Sequence, residues 1–217
     1  MTQQAINAAP VVFVVDDDID VRKGLKSLMG SVGLRCEVFA SALEFMRREA
    51  ADTVNCLILD VRLPGMNGLD FQAKLAVMHA DIPIIFITGY GDIPTTVKAM
   101  KTGAVDFLTK PVREQDLLDA VHVALERDRI RQEQTSKLNH LRVRYESLSS
   151  RHRKLLSLVT AGLLNKQIAG EMNLSETTVK VQRRILMQKL GAESLVDLTQ
   201  MAGVLGVGES HLRGTKH

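Results

Sequence analysis

Cys56-Leu57-Ile58-Leu59-Asp60 runs directly into Val61-Arg62-Leu63-Pro64-Gly65-Met66-Asn67-Gly68. An apolar run that stops at a carboxylate and breaks into Pro-Gly and Asn-Gly predicts a buried strand whose polar end opens a loop. The same grammar recurs along the chain. Val11 to Val15 ends in Asp16-Asp17-Asp18, Ile84-Ile85-Phe86-Ile87 ends in Thr88, and Ala104 to Leu108 ends in Thr109-Lys110-Pro111. In an open parallel sheet the carboxyl ends of the strands share one edge, and α/β proteins place their sites there. That edge would gather carboxylates, a hydroxyl and an amine.

Amphipathic segments separate these runs. Val21, Leu25, Leu28 and Met29 share one helical face, as do Leu117, Leu118, Val121 and Leu125. Asp18 is placed to cap the first helix, and Asp20 sits where the helix dipole favours negative charge. The alternation predicts a five-stranded, parallel, doubly wound α/β domain over residues 11–126, with strands near 11–15, 34–38, 56–60, 83–87 and 104–108. Neither Pro nor Gly interrupts Glu114 to Ser149, so residues 127–148 are expected to form a long helical linker. Leu138, Leu141, Tyr145 and Leu148 recur at 3-4-3 spacing, which fits either a solvated helix or a seam that pairs between subunits. Residues 149–205 predict an all-α domain with helices near 151–161, 165–172, 176–190 and 194–205. Gly162 and Gly191 are placed as helix stops and Ser175 as an N-cap. Residues 1–10 read as a leader and 206–217 as a flexible tail.

Composition narrows the class. Hydrophobic residues at 45% and charged residues at 24% suit a globular chain that buries a core. Met1 to Pro10 lack the basic start and apolar centre of a signal peptide, and no apolar run is long enough for a membrane helix, so the cytoplasm is expected. Cys36 and Cys56 follow no metal or redox spacing. The net charge of +3 conceals a division. Residues 1–120 carry 12 Lys and Arg against 16 Asp and Glu, whereas residues 149–217 carry 10 against 5. A basic second half points to a polyanionic partner. With no Trp and two Tyr, stacking on single strands is poorly served, so duplex DNA is favoured.

Carboxylates about 4 Å apart repel by about 4 kcal/mol at an effective dielectric near 20, so a cluster of Asp16, Asp17 and Asp60 calls for a cation. Hard oxygen donors suit Mg²⁺. Lys110 and Thr88 would neutralise and hydrogen-bond a phosphoryl group beside it. This set, with Pro111, resembles the receiver domain of bacterial two-component response regulators. DVRLPGMNG and ITGYGDIPTTVKAMKTGAVDFLTKP resemble its FixJ branch. The resemblance implies Asp60 as phospho-acceptor, and Mg²⁺ held by Asp17, Asp60 and the carbonyl of Arg62, with Asp16 assisting through water. It further implies Thr88 and Lys110 as phosphoryl contacts, and Phe107 as the aromatic that turns inward when the hydroxyl moves. Arg62 and Tyr90 flank the site and would tune phosphoryl lifetime. The altered face, around Ile93–Thr102 and 104–121, would then pair with a second subunit.

In the basic half, a short helix from Lys166, the turn Asn173-Leu174-Ser175 and a longer basic helix form a helix-turn-helix pattern. Ile168, Ala169, Leu174, Val179, Ile185 and Leu190 sit at core spacing, while Lys180, Arg183, Arg184 and Lys189 are expected to face outward. GLLNKQIAGEMNLSETTVKVQRRILMQKLGAESLVDL resembles the LuxR/NarL-type output domain. By that match Thr178, Lys180, Val181 and Arg184 lie on the groove side, Asn165 and Lys166 meet the DNA backbone, and Lys189 meets a phosphate. Two positions depart from the family pattern: Gln182 replaces the usual His, and His152 the usual Glu. Gln182 could donate and accept at a base edge, so altered specificity is expected.

The resemblance therefore implies a response regulator transcription factor. A sensor histidine kinase would phosphorylate it, it would form a homodimer on paired DNA half-sites, and RNA polymerase would be a further partner. One alternative is a phosphorylation-independent DNA-binding regulator whose receiver only dimerises. Another is a haloacid-dehalogenase-like phosphatase, suggested by Asp16 and Asp18 after the first strand. That class expects an acidic metal motif beyond Lys110, where this chain has only Pro111-Val112-Arg113-Glu114-Gln115-Asp116 entering a helix.

Overall fold

The computed structural model describes residues 9–49, 53–78, 80–89 and 93–207. Tyr90, most of the expected leader and most of the expected tail lie outside the described residues. The chain divides into two compact units, Met1–Glu133 and Gln134–His217.

The first unit holds β1 (Val11–Val15), α1 (Ile19–Ser31), β2 (Arg35–Phe39), α2 (Ala42–Met46), β3 (Asn55–Asp60), α3 (Gly68–Val77), β4 (Ile84–Thr88), α4 (Ile93–Lys101), β5 (Asp106–Thr109) and the start of α5 (Glu114–Glu146). All strand pairs are parallel, in the order β2-β1-β3-β4-β5. Alternate side chains enter opposite layers, as strand geometry requires. Phe13, Leu57, Leu59 and Phe86 pack with Phe45, Phe71, Leu75 and Ala99 of α2, α3 and α4. Val12, Val14, Ile58, Ile85 and Ile87 pack with Met29 of α1 and Leu117, Val121 and Ala124 of α5. The fold is thus a doubly wound α/β sheet.

The central strands β1, β3 and β4 are buried throughout. Strands β2 and β5 are only partly buried, for β5 contrary to the expected buried run, because each is an edge strand with one neighbour. Strand β5 also begins at Asp106 rather than Ala104: Gly103 turns at φ 94°, and the Ala104 amide is spent on Ala99 O at the end of α4.

The expected linker is not uniformly solvated. Asp128 is fully buried in the first unit. Its carboxylate accepts from the Asn55 amide at 2.9 Å, from Gln132 Nε2 at 2.8 Å and from Arg131 Nε and Nη2 at 2.9 and 2.7 Å. Asp128 extends the α5 apolar row Leu117, Val121, Ala124, and so fastens this turn to the amino end of β3.

The second unit comprises the end of α5 with α6 (Ser150–Thr160), α7 (Asn165–Met172), α8 (Glu176–Leu190) and α9 (Leu195–Val204). Leu148, Leu155, Leu156, Val159, Ile168, Val179, Leu186, Leu190 and Leu198 form its core. Leu141 and Tyr145 pack against that core. The suggested intersubunit seam is therefore largely used inside the unit, where its 3-4 spacing serves packing on α6–α9. Leu186, not Ile185, is fully buried in α8 with Val179 and Leu190, since the row from Val179 to Leu190 passes through 186.

Replacing Asp128 with Ala strips the Asn55 amide and Arg131 of their acceptor. The expected cost is about 1–3 kcal/mol, read as a lower urea midpoint for the first unit. Asp128→Asn, which keeps an acceptor oxygen, should lose less. An unchanged midpoint in the alanine variant would show that the carboxylate anchors nothing.

Candidate functional site

The first site lies at the carboxyl edge of the sheet. Because Val15 pairs with Leu59, the next residues Asp16 and Asp60 emerge side by side. Asp16 is fully buried and Asp60 is 6% exposed, while Asp17 faces solvent. One carboxylate oxygen from each of the three lies within 4.8 Å of the others. Lys110, from the loop after β5, donates to Asp16 Oδ2 at 2.7 Å and to Asp60 Oδ2 at 2.8 Å. The Lys110 amide bonds Thr88 O at 2.7 Å, and the Lys110–Pro111 peptide is cis. Thr88 ends β4 and is fully buried.

Burial pushes the Asp16 carboxyl above its ordinary value, against the opposing pull of the Lys110 hydrogen bond and the Asp18 amide. Burial by itself would lower the Lys110 ammonium, but the bonds to Asp16 and Asp60 outweigh it and the net shift is upward. Lys110 is therefore firmly cationic. Three carboxylates against one ammonium leave the cluster with net negative charge, and its donors are all hard oxygens. That donor set fits a divalent cation such as Mg²⁺.

The turn after β3 is built to hold Asp60. Asp60 Oδ1 accepts the Arg62 amide at 3.0 Å, and Gly68 N donates to Val61 O at 2.9 Å. A Cβ on Gly68 would stand 2.5 Å from the Asp60 carbonyl oxygen, so this close approach requires glycine. Asn67 caps α3 through the Leu69 amide at 2.9 Å. Asp18 caps α1, accepting from the Asp20 and Val21 amides, and those bonds hold its carboxyl below the ordinary value. Arg62 is exposed beside the site. Phe107 is partly buried, 6.1 Å from the Phe86 ring and packed on the α2–α4 side of the sheet.

In the second unit, α7 and α8 are joined by Asn173-Leu174-Ser175. Asn173 takes the left-handed conformation at φ 51°, which Asn tolerates better than most residues. Ser175 caps α8 through the Thr178 amide at 3.1 Å. Helix α8 exposes Thr177, Lys180, Val181, Arg184, Gln188 and Lys189. Lys166 is exposed at the start of α7.

Other sequence-predicted positions are otherwise engaged. Thr178 is partly buried, with its hydroxyl 2.8 Å from Ser175 Oγ. Asn165 Oδ1 accepts from Arg183 Nη1 at 2.6 Å, so Arg183 does not simply face outward. Gln182 is turned toward α6, where its Oε1 meets His152 Nε2 at 3.1 Å. Both departures from the family pattern thus fall on a single contact. Thr177 and Gln188 are exposed on the same helical face as Val181 and Arg184, at spacings of three and four residues.

Residues 12–122 match the family model for the response regulator receiver domain, and residues 146–202 match that for bacterial regulatory proteins of the luxR family. The chain is 51% identical over 206 residues to nodulation protein W of Bradyrhizobium diazoefficiens, covering 95% of this chain and 91% of that one. It is 48% identical over 191 residues to response regulator protein TmoT of Ectopseudomonas mendocina, covering 88% and 87%. Among solved structures, response regulator StyR matches with a TM-score of 0.80 at 45% identity, over 90% of this chain and 99% of that one. The chain belongs to the two-component response regulators that carry a luxR-type DNA-binding domain. It is a transcription-regulating protein and not an enzyme, which removes the phosphatase reading. Membership implies DNA and a histidine kinase as partners. Among the described residues, no helix is long and apolar enough to cross a membrane.

Helix α8 ends at Gly191, whose φ of 76° suits glycine. Arg144 of α5 donates to Leu190 O at 3.0 Å and occupies the space a Cβ at 191 would need. Gly191→Ala should cost about 1–2 kcal/mol from backbone conformation alone, and more with Arg144 in place. Urea unfolding of the second unit should show a smaller Gly191→Ala penalty in an Arg144→Ala background; equal penalties would exclude the collision.

Proposed function

We propose that Asp60 is the phospho-acceptor and that its phosphorylation controls pairing of the receiver and binding of duplex DNA. The observation that carries this reading is Lys110 bridging Asp16 and Asp60 beside exposed Asp17. An Asp60 carboxylate oxygen forms the new O–P bond as the P–N bond to the kinase histidine breaks, and the imidazole leaves with a proton. Asp16, Asp17, Asp60 and the Arg62 carbonyl would hold Mg²⁺, which supplies charge neutralisation for the transferring group. Lys110 exchanges its bond to Asp60 for one to a phosphoryl oxygen, and Thr88 donates its hydroxyl to another. Phe107 follows the hydroxyl inward. Arg62 and Tyr90 tune how readily water reaches the acyl phosphate.

The phosphoryl group adds a charge of about −1.5 to −2 at pH 7. The response is read out on the α4 and β5 face, where Ile93, Val97 and Met100 are exposed apolar side chains suited to a second subunit. A symmetric pair of output domains matches paired half-sites, with RNA polymerase as a further partner and the cytoplasm as the setting. Lys166, Lys180, Val181, Arg184 and Lys189 supply the DNA contacts, Asn165 positions Arg183, and Thr178 orders the entry to α8. The domain limits that go with this reading are a receiver over 11–126, a helical connection over 127–148 and an output domain over 149–205.

Incubating the protein with Mg²⁺ and a small phosphodonor should add one phosphoryl mass to the wild type and none to Asp60→Asn. Equal labelling of the two would refute Asp60 as acceptor. On the DNA side, Lys180→Ala and Arg184→Ala should each weaken duplex binding. A residue that neutralises a phosphate should also reduce the slope of log K against log salt by about 1. Unchanged affinity in both variants would remove α8 from the interface.

A further inference from the structure

Two polar side chains occupy the apolar rows along which α6 and α8 meet. On α8 the row runs Val179, Gln182, Leu186 and Leu190, and on α6 it runs His152, Leu155, Leu156 and Val159. The apolar members of both rows belong to one buried core. The two polar members meet across it, His152 Nε2 to Gln182 Oε1 at 3.1 Å, in a partly buried contact. Behind the ring, His152 Nδ1 lies 3.1 Å from Ser149 Oγ, and that oxygen also accepts the His152 amide at 3.3 Å as the α6 N-cap. In the tautomer with its proton on Nε2, the ring donates to Gln182 Oε1 and accepts from the Ser149 hydroxyl at Nδ1. A hydrogen-bonded path therefore runs from the α6 N-cap to the middle of the recognition helix.

The direction of Gln182 is the second observation. At about 100° per residue, Gln182 lies about 160° round the helix from Arg184 and about 100° from Val181. Lys180, Val181 and Arg184 are exposed, whereas Gln182 and its row neighbours face the core. A side chain so directed points away from the exposed face that carries Lys180, Val181 and Arg184.

We propose that Gln182 is a positioning residue that reads no base, and that through His152 it fixes the angle at which α8 presents Lys180, Val181 and Arg184. The inference rests on the DNA-binding reading of the output domain and deepens it, adding His152 and Ser149 to the groups that set the interface. A directional hydrogen bond specifies one partner in one geometry more strictly than apolar contacts do. Loss of the pair lets α8 rock, and every base and phosphate contact weakens together. Loss of a base-reading side chain instead relaxes one base pair.

The test uses full-length protein treated with Mg²⁺ and a phosphodonor, and a duplex library with a randomised core. Bound DNA is sequenced and its affinity measured for wild type, Gln182→Ala, His152→Ala, the double alanine variant and the double exchange His152→Glu with Gln182→His. Each alanine substitution should weaken the enriched duplex about five- to tenfold, and the double variant should be no weaker than the weaker single. Base preferences and the salt slope should stay as in wild type, and the double exchange should recover most of the affinity. Relaxed preference at one base pair in Gln182→Ala, with none in His152→Ala, would overturn the inference while leaving the DNA-binding reading intact. Additive losses would overturn it as well. A wild type that enriches no sequence and retains no duplex would defeat the DNA-binding reading and the inference with it. Should alanine unfold the domain, as far-UV circular dichroism would reveal, the double exchange against its own two single substitutions closes the same cycle.

Discussion

The ammonium of Lys110 sits between the carboxylates of Asp16 and Asp60, and the receiver is organised around that bridge. Parallel pairing of β1 with β3 forces the two acids together, since neighbouring residues past Val15 and Leu59 leave the sheet side by side. Their repulsion is offset by one lysine delivered from the far side of β4 through the Lys110 amide and Thr88 O. Asp17 then adds a charge that nothing among these residues balances. The fold holds the site short of neutrality, and this is the condition that favours a divalent cation on hard oxygen donors.

The output half depends on a different constraint. A helix that enters a DNA groove works only if its angle to the rest of the domain is held. Apolar packing alone sets a helix face but tolerates small rotations. Here α8 is fixed at several points by directional bonds: Ser175 at its start, His152 against Gln182, Asn165 against Arg183, and Arg144 on the Leu190 carbonyl. Lys180, Val181, Arg184 and Gln188 are among the side chains left exposed between those points.

Much of the fold and of the acidic candidate site was legible in the sequence, for a physical reason. An apolar run ending in an acid, a hydroxyl or a lysine states both that a strand is buried and where it stops. Four such runs converge only in one kind of sheet. Caps were equally local: Asp18 and Ser175 each satisfy an amide within three residues. Strand burial at the edges was misjudged because composition does not disclose strand order. The seam at Leu141, Tyr145 and Leu148 showed its period but not its partner, since an apolar stripe packs equally well on its own domain or on another chain.

Polar residues inside apolar rows mark pairings that cross a core. Asp128 continues the row Leu117, Val121, Ala124, and Gln182 interrupts Val179, Leu186, Leu190. Periodicity puts both on faces shared with buried residues, where Asp128 accepts the Asn55 amide and Gln182 meets His152. The sequence by itself determined the two-domain plan, the doubly wound sheet, the acidic edge with its lysine and the helix-turn-helix. Those follow from periodicity and from residues near one another along the chain. Only the tertiary structure decided that Asp128 accepts from Asn55, 73 residues away, and that Gln182 turns to His152, 30 residues away. Hydrogen-bond pairing across a core depends on which faces meet and at what angle, and no single helix carries that information in its own spacing.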